Sequence, residues 1–210
     1  MAARIDKGRS YIGESVVRPQ TTRLLAGRGV FTDDVVLPRM LHVAFVRSPH
    51  AHARIASIDC AGARALPGVA AVVTGEDMAP VCSGWVGTLA HFAGMKSATQ
   101  RPLATGKASW QGEPVAAVVA ESRAIAEDGV SRVRVAWEAL PAVTDPESAL
   151  DPSTPVIHPE LGDNLAFRLD LASGDADRAF AEADTVLRET FTMGRHTGVT
   201  LEARAILADF

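Results

Sequence analysis

Short apolar runs divide this chain, and their period changes from one run to the next. In LHVAFV (41–46), Leu41, Val43 and Phe45 fall on one face of an extended chain and His42, Ala44 and Val46 on the other, which predicts a strand. Asp59 stands before the helix-favouring CAGARAL (60–66), and Pro67-Gly68 stops it, so a short helix is expected there. VAAVV at 69–73 predicts a buried strand and recurs at 115–119, each copy followed by acidic and turn residues. The repeat fits two related strand–helix units, and it equally fits two buried strands of an alanine- and valine-rich protein. SRAIAEDGVSRV (122–133) predicts a helix weakened by Gly129, and RVRVAWEAL (132–140) alternates as a half-exposed strand does.

Turn chemistry supplies the boundaries. Residues 1–26 predict an extended arm, and GRGVFTDDVVLPRM (27–40) is turn-forming throughout. Prolines 141, 146, 152, 155 and 159 mark a linker, placed at 144–164 after a domain spanning 27–143. From residue 165 the pattern predicts a strand and turn in LAFRLDLASGD, a helix in ADRAFAEAD, and further strands in TVLRETFTM and EARAILADF. The last segment is apolar and has no turn after it, so the domain that opens at 165 is expected to be incomplete.

Composition narrows the function classes. The net charge of −4 over 210 residues offers no field to gather phosphates, which argues against a nucleic-acid partner. No apolar run approaches the roughly 20 residues of a membrane span, and the polar N-terminus does not read as a secretory signal. Cys60 and Cys82 form no disulfide framework, and a cytoplasmic location is the default.

The chemistry-bearing residues are few. RSPHAHARI (47–55) holds His50 and His52 at a spacing that puts two imidazoles on one face of a strand, as a metal site would need. A catalytic zinc also requires a third ligand. The other histidines, at 42, 91, 158 and 196, are scattered, and Arg47 and Arg54 oppose a nearby divalent ion. A structural role bonded to backbone or to Asp59 is the stronger reading, and no metal site is assigned. Gly27-Arg28-Gly29 opens like a dinucleotide loop but lacks its third glycine and its helix. Asp33-Asp34 reads as a solvated turn, and Cys60 as a small helix residue. Glu202, with Arg204 two residues on, fits an ion pair as well as a general base. No catalytic constellation is complete.

Taken together, GRGVFTDDVVLPRMLHVAFVRSPHAHARIASID, ALPGVAAVVTGED, GEPVAAVVAES and WEALPAV occur in an order that resembles one known family. The resemblance is to the N-terminal region of the molybdopterin-binding large subunit of the xanthine dehydrogenase, aldehyde oxidase and aerobic carbon monoxide dehydrogenase family. GDADRAFAEAD and RHTGVTLEARAILADF resemble the opening of that subunit's molybdopterin-binding domain. Trp137, Gly129 and Ala203 depart from the family pattern. The resemblance implies an α+β fold, an α/β hammerhead domain followed by the start of an incomplete molybdopterin-binding domain. It makes the histidine-rich turn part of the scaffold and places the residues that touch molybdenum later in the subunit. No catalytic and no cofactor-binding residue is therefore assigned here.

Several expectations follow from the resemblance. The complete enzyme hydroxylates an aldehyde or heteroaromatic carbon with water as oxygen source. It uses molybdopterin cytosine dinucleotide carrying molybdenum, and 2Fe-2S clusters and FAD on partner subunits. The partners are the iron–sulfur subunit, the FAD subunit, the remainder of the large subunit and a small-molecule substrate. The 210-residue chain alone is expected to be inactive. The high ratio of arginine to lysine fits a GC-rich bacterial genome. A different class stays open, a stand-alone hammerhead module acting in assembly with no redox role. CSGWVGTLAHFAGMKSATQRPLA (82–104) has no clean period and reads two ways. Either it is a flap over the hammerhead's own core, or Leu89, Phe92 and Met95 line the channel that leads substrate to molybdenum.

Overall fold

A computed structural model describes residues 12–194, 198–200 and 203–209. The chain divides into two compact units, residues 39–188 and residues 1–38 with 189–210.

In the smaller unit the arm is not wholly extended. Helix α1 (Thr21–Leu25) forms between Pro19 and Gly27. Gly27, at φ +66°, closes it as the amides of Gly27 and Arg28 bond back to the carbonyls of Leu24 and Arg23. The apparent dinucleotide loop is therefore a helix stop. A 3-10 turn (Thr32–Asp34) follows, where the Asp34 carboxylate accepts the Phe31 amide.

The larger unit runs β1 (His42–Arg47), β2 (Ala53–Asp59), α2 (Ala61–Arg64), β3 (Val69–Thr74), α3 (Gly75–Met78), β4 (Trp85–Val86), β5 (Thr99–Gln100), β6 (Lys107–Ala108), β7 (Pro114–Ala120), α4 (Arg123–Arg132), β8 (Arg134–Ala139) and α5 (Ala176–Glu182). The three sheets have the strand orders β1-β7-β3, β6-β2-β8 and β4-β5, and the pairings within them are antiparallel.

The two VAAVV runs are direct neighbours, with Val72 opposite Val118 and Val73 opposite Ala117. Central β7 is the most buried strand, because both its edges are paired and α4 covers one face. Ser122 caps α4 by accepting the Ile125 amide at 3.3 Å. Gly129 lets the helix settle onto the sheet: a Cβ there would stand 2.7 Å from a Val118 methyl. Val46, Val72, Val115 and Val118 form one side of the core, with Cys60 and Ala63 of the α2 segment, and Ile55, Ile58 and Trp137 pack against them from the second sheet.

Strand β2 was not evident in the residue pattern. Its apolar residues, Ile55 and Ile58, are three apart, and a register shift at Ala56 brings both inward. Conversely, the strands expected within 165–175, 185–193 and 202–210 do not form among the described residues. Alternation alone cannot make a strand without a neighbouring backbone to pair with. Only the helix of that region is present, α5, capped by Asp175. The proline-rich segment 149–164 is ordered by Asn164. Its amide accepts the Ile157 N–H and donates to the carbonyls of Ala149 and Pro155, each at 3.0 Å.

Candidate functional site

The two histidines of RSPHAHARI turn to different tasks. His50 sets its ring edge against Trp137, centroids 5.7 Å apart. His52 is 8% exposed and places Nδ1 2.7 Å from the Pro141 carbonyl. That bond, with the Leu140 amide on the His52 carbonyl, staples the start of β2 to the end of β8. The turn itself is built by Ser48, whose hydroxyl bonds both the amide and the carbonyl of His50. A bond to backbone fits the structural reading, with Pro141 in place of Asp59. Among the described residues no group of three or more His, Cys, Asp or Glu is arranged to hold a metal ion.

The remaining candidates are equally local. Burial pushes the Cys60 thiol up from its usual range, which suits a core residue and not a nucleophile. His91 packs on Phe92, and His158 stands 3.5 Å from Glu160. His196 and Glu202 lie outside the described residues. The carboxyls of Asp77 and Asp163 are held below the ordinary aspartate value, by the Thr74 amide and hydroxyl and by the Lys96 ammonium respectively. Groups held ionised in this way are weak bases.

The site with the most structure is the 82–104 connection. The β4–β5 pair closes its base, with Trp85 opposite Gln100 and Val86 opposite Thr99. At its tip Leu89, Phe92 and Met95 come together. The Phe92 amide bonds the Leu89 carbonyl at 3.0 Å, the Met95 amide bonds the Phe92 carbonyl at 3.1 Å, and the Leu89 amide meets the Met95 sulfur at 3.4 Å. Leu89 stays half exposed. Phe92 stacks on Phe167, with centroids 4.4 Å apart and planes inclined by 24°. Met95 faces an open cleft of about 900 Å³ that Lys96, Arg101, Trp110, Ile157 and Leu165 also line. The tip thus packs outward on residues near the start of the second sequence region, and Leu89 offers apolar surface to solvent. Residue patterns gave no hint of Lys96, Asp163 or Phe167, the groups that hold the tip. The available signal was that Lys96 is the one formal charge between Cys82 and Gln100.

Two family models match the chain: the aldehyde oxidase and xanthine dehydrogenase a/b hammerhead domain over residues 26–141, and the molybdopterin cofactor-binding domain over 157–210. The nicotine 6-hydroxylase large subunit of Paenarthrobacter nicotinovorans is 39% identical over 202 residues, 96% of this chain and 24% of that protein. The carbon monoxide dehydrogenase large chain of Afipia carboxidovorans is 38% identical, covering 85% of this chain and 23% of its own length. The crystal structure of quinoline 2-oxidoreductase from Pseudomonas putida 86 superposes with a TM-score of 0.74 at 46% identity, over 81% of this chain and 22% of that one. The chain therefore spans about a quarter of the length of these relatives.

From Leu165 onward every described residue is exposed. A molybdopterin cofactor needs a concave, donor-lined cradle. The described residues of this region do not form one and do not fit the group by themselves.

Proposed function

Because the chain belongs to the aldehyde oxidase and xanthine dehydrogenase family, with that family's hammerhead domain over more than half its length, we propose that it serves as the scaffold and substrate-channel part of a molybdenum-dependent oxidoreductase. It matches the front of such large subunits and carries no assigned catalytic residue. The match to the cofactor-binding domain after the hammerhead favours this reading over a stand-alone assembly module.

The complete enzyme hydroxylates an aldehyde, heteroaromatic or related small substrate, using molybdenum on molybdopterin cytosine dinucleotide. Iron–sulfur and FAD subunits are its partners. Relatives described as a large chain, a large subunit and subunit gamma of a complex support this. We place it in the cytoplasm, the default for a chain whose cysteines form no disulfide framework. No described helix is long and apolar enough to cross a membrane.

One observation carries the channel role: Leu89, Phe92 and Met95 gather at the tip of a tied-down loop, with Leu89 exposed and Met95 on the cleft. What these residues do is recognise. Leu89 and Met95 present apolar surface suited to flat substrates, and Phe92 holds the tip. In the complete enzyme Leu89→Ala is expected to change the ranking of aromatic substrates by kcat/KM severalfold, since a few methylenes of contact are worth roughly 1–3 kcal/mol. Thermal stability and molybdenum content should be unchanged. An unaltered ranking would remove Leu89 from the channel.

A further inference from the structure

A loop of this length without regular structure would sample many conformations unless something beyond its two-pair base held it. One residue makes most of the polar contacts that do so. The Lys96 amide donates to the Ala166 carbonyl at 2.8 Å. Its ammonium donates to the Leu161 carbonyl at 3.1 Å and to the Asp163 carboxylate. Asp163 is itself aimed by the Leu165 amide at 2.9 Å, and Asn164 fixes the surrounding linker. Four residues away, the stack of Phe92 on Phe167 closes the same contact with apolar surface. The loop is thus clasped at two points to a segment more than sixty residues later in the chain.

We propose that Lys96 is a positioning residue, which holds the tip formed by Leu89, Phe92 and Met95 in one orientation by anchoring it to residues 161–166. Its bearing on substrate choice rests on the channel reading above. Lys96 keeps about a third of its side chain exposed and Asp163 more than half, so the pair adds little to global stability. Its effect falls on the loop, where a charge-assisted bond must break before the tip can open. Both Lys96→Met and Asp163→Asn should therefore loosen the tip while leaving the fold intact, and Lys96→Arg should preserve the contact in part.

Hydrogen exchange on the 210-residue chain tests this. In Lys96→Met and in Asp163→Asn, amides of residues 89–96 are expected to exchange severalfold to about tenfold faster, with the exchange of β7 and the melting temperature unchanged. Lys96→Arg should fall between these and the parent chain. Unchanged exchange at 89–96 in both variants would overturn the anchor. The same Lys96→Met change in the complete enzyme should alter substrate ranking by kcat/KM in the sense that Leu89→Ala does. Faster exchange with a ranking unchanged in Lys96→Met but altered in Leu89→Ala would overturn the link to specificity alone; a ranking unchanged in both would overturn the channel reading, while leaving the anchor established.

Discussion

Gly129 illustrates how a residue that looks unfavourable locally is required by packing. In the helical pattern it reads as a defect, since glycine costs about 1 kcal/mol against alanine in a helix interior. In the fold it is buried where α4 crosses β7, with a Val118 methyl filling the space a side chain would need. Gly129→Ala is therefore expected to destabilise the chain by about 1–2 kcal/mol, because overpacking against the buried Val118 outweighs the gain in helix propensity. Urea denaturation measures this, and a more stable variant would show that α4 has room to move. His52 shows the complementary case. Its chemistry was legible as polar and structural, but its partner, Pro141, stands 89 positions away, and no local pattern could name it.

At the scale of elements, legibility followed period. The segments of β1, β3, β7, α4 and β8 were all expected, because each keeps one period and ends at a clear turn or cap. Strand β2 hid because Ala56 breaks the alternation between Ile55 and Ile58. Deleting Ala56 should restore an unbroken register with Ile55 and Ile58 two apart and still on one face. Stability is therefore expected to change by less than about 1 kcal/mol, against about 1.5–3 kcal/mol if one isoleucine left the core. Chemical denaturation would decide, and a loss of the larger size would mean that the bulge does not set the facing of the two isoleucines. The segments after residue 165 failed in the opposite way. Leu169, Leu171, Leu187 and Phe191 alternate with polar neighbours as strand residues do, yet all are exposed and unpaired in a sheet among the described residues. The candidate site was half legible: three apolar residues without a period marked Leu89, Phe92 and Met95, but the clasp that holds them depends on Lys96 meeting Asp163 across 67 positions.

For the whole molecule, the hammerhead carries its own core, and the described residues of the region that follows do not form one. Val115, Ala116 and Val118 are fully buried in the first, whereas every described residue from Leu165 on is exposed in the second. Relatives about four times as long match this chain in order over both regions. The central proposal is that the chain contributes scaffold and channel surface and does not by itself hold the pterin. The most direct test is the molybdenum-to-protein ratio of the 210-residue chain, purified from cells that make the cofactor and shown to be folded by circular dichroism. The account predicts molybdenum no higher than in a blank preparation lacking the chain. One molybdenum per chain, retained through gel filtration, would contradict it.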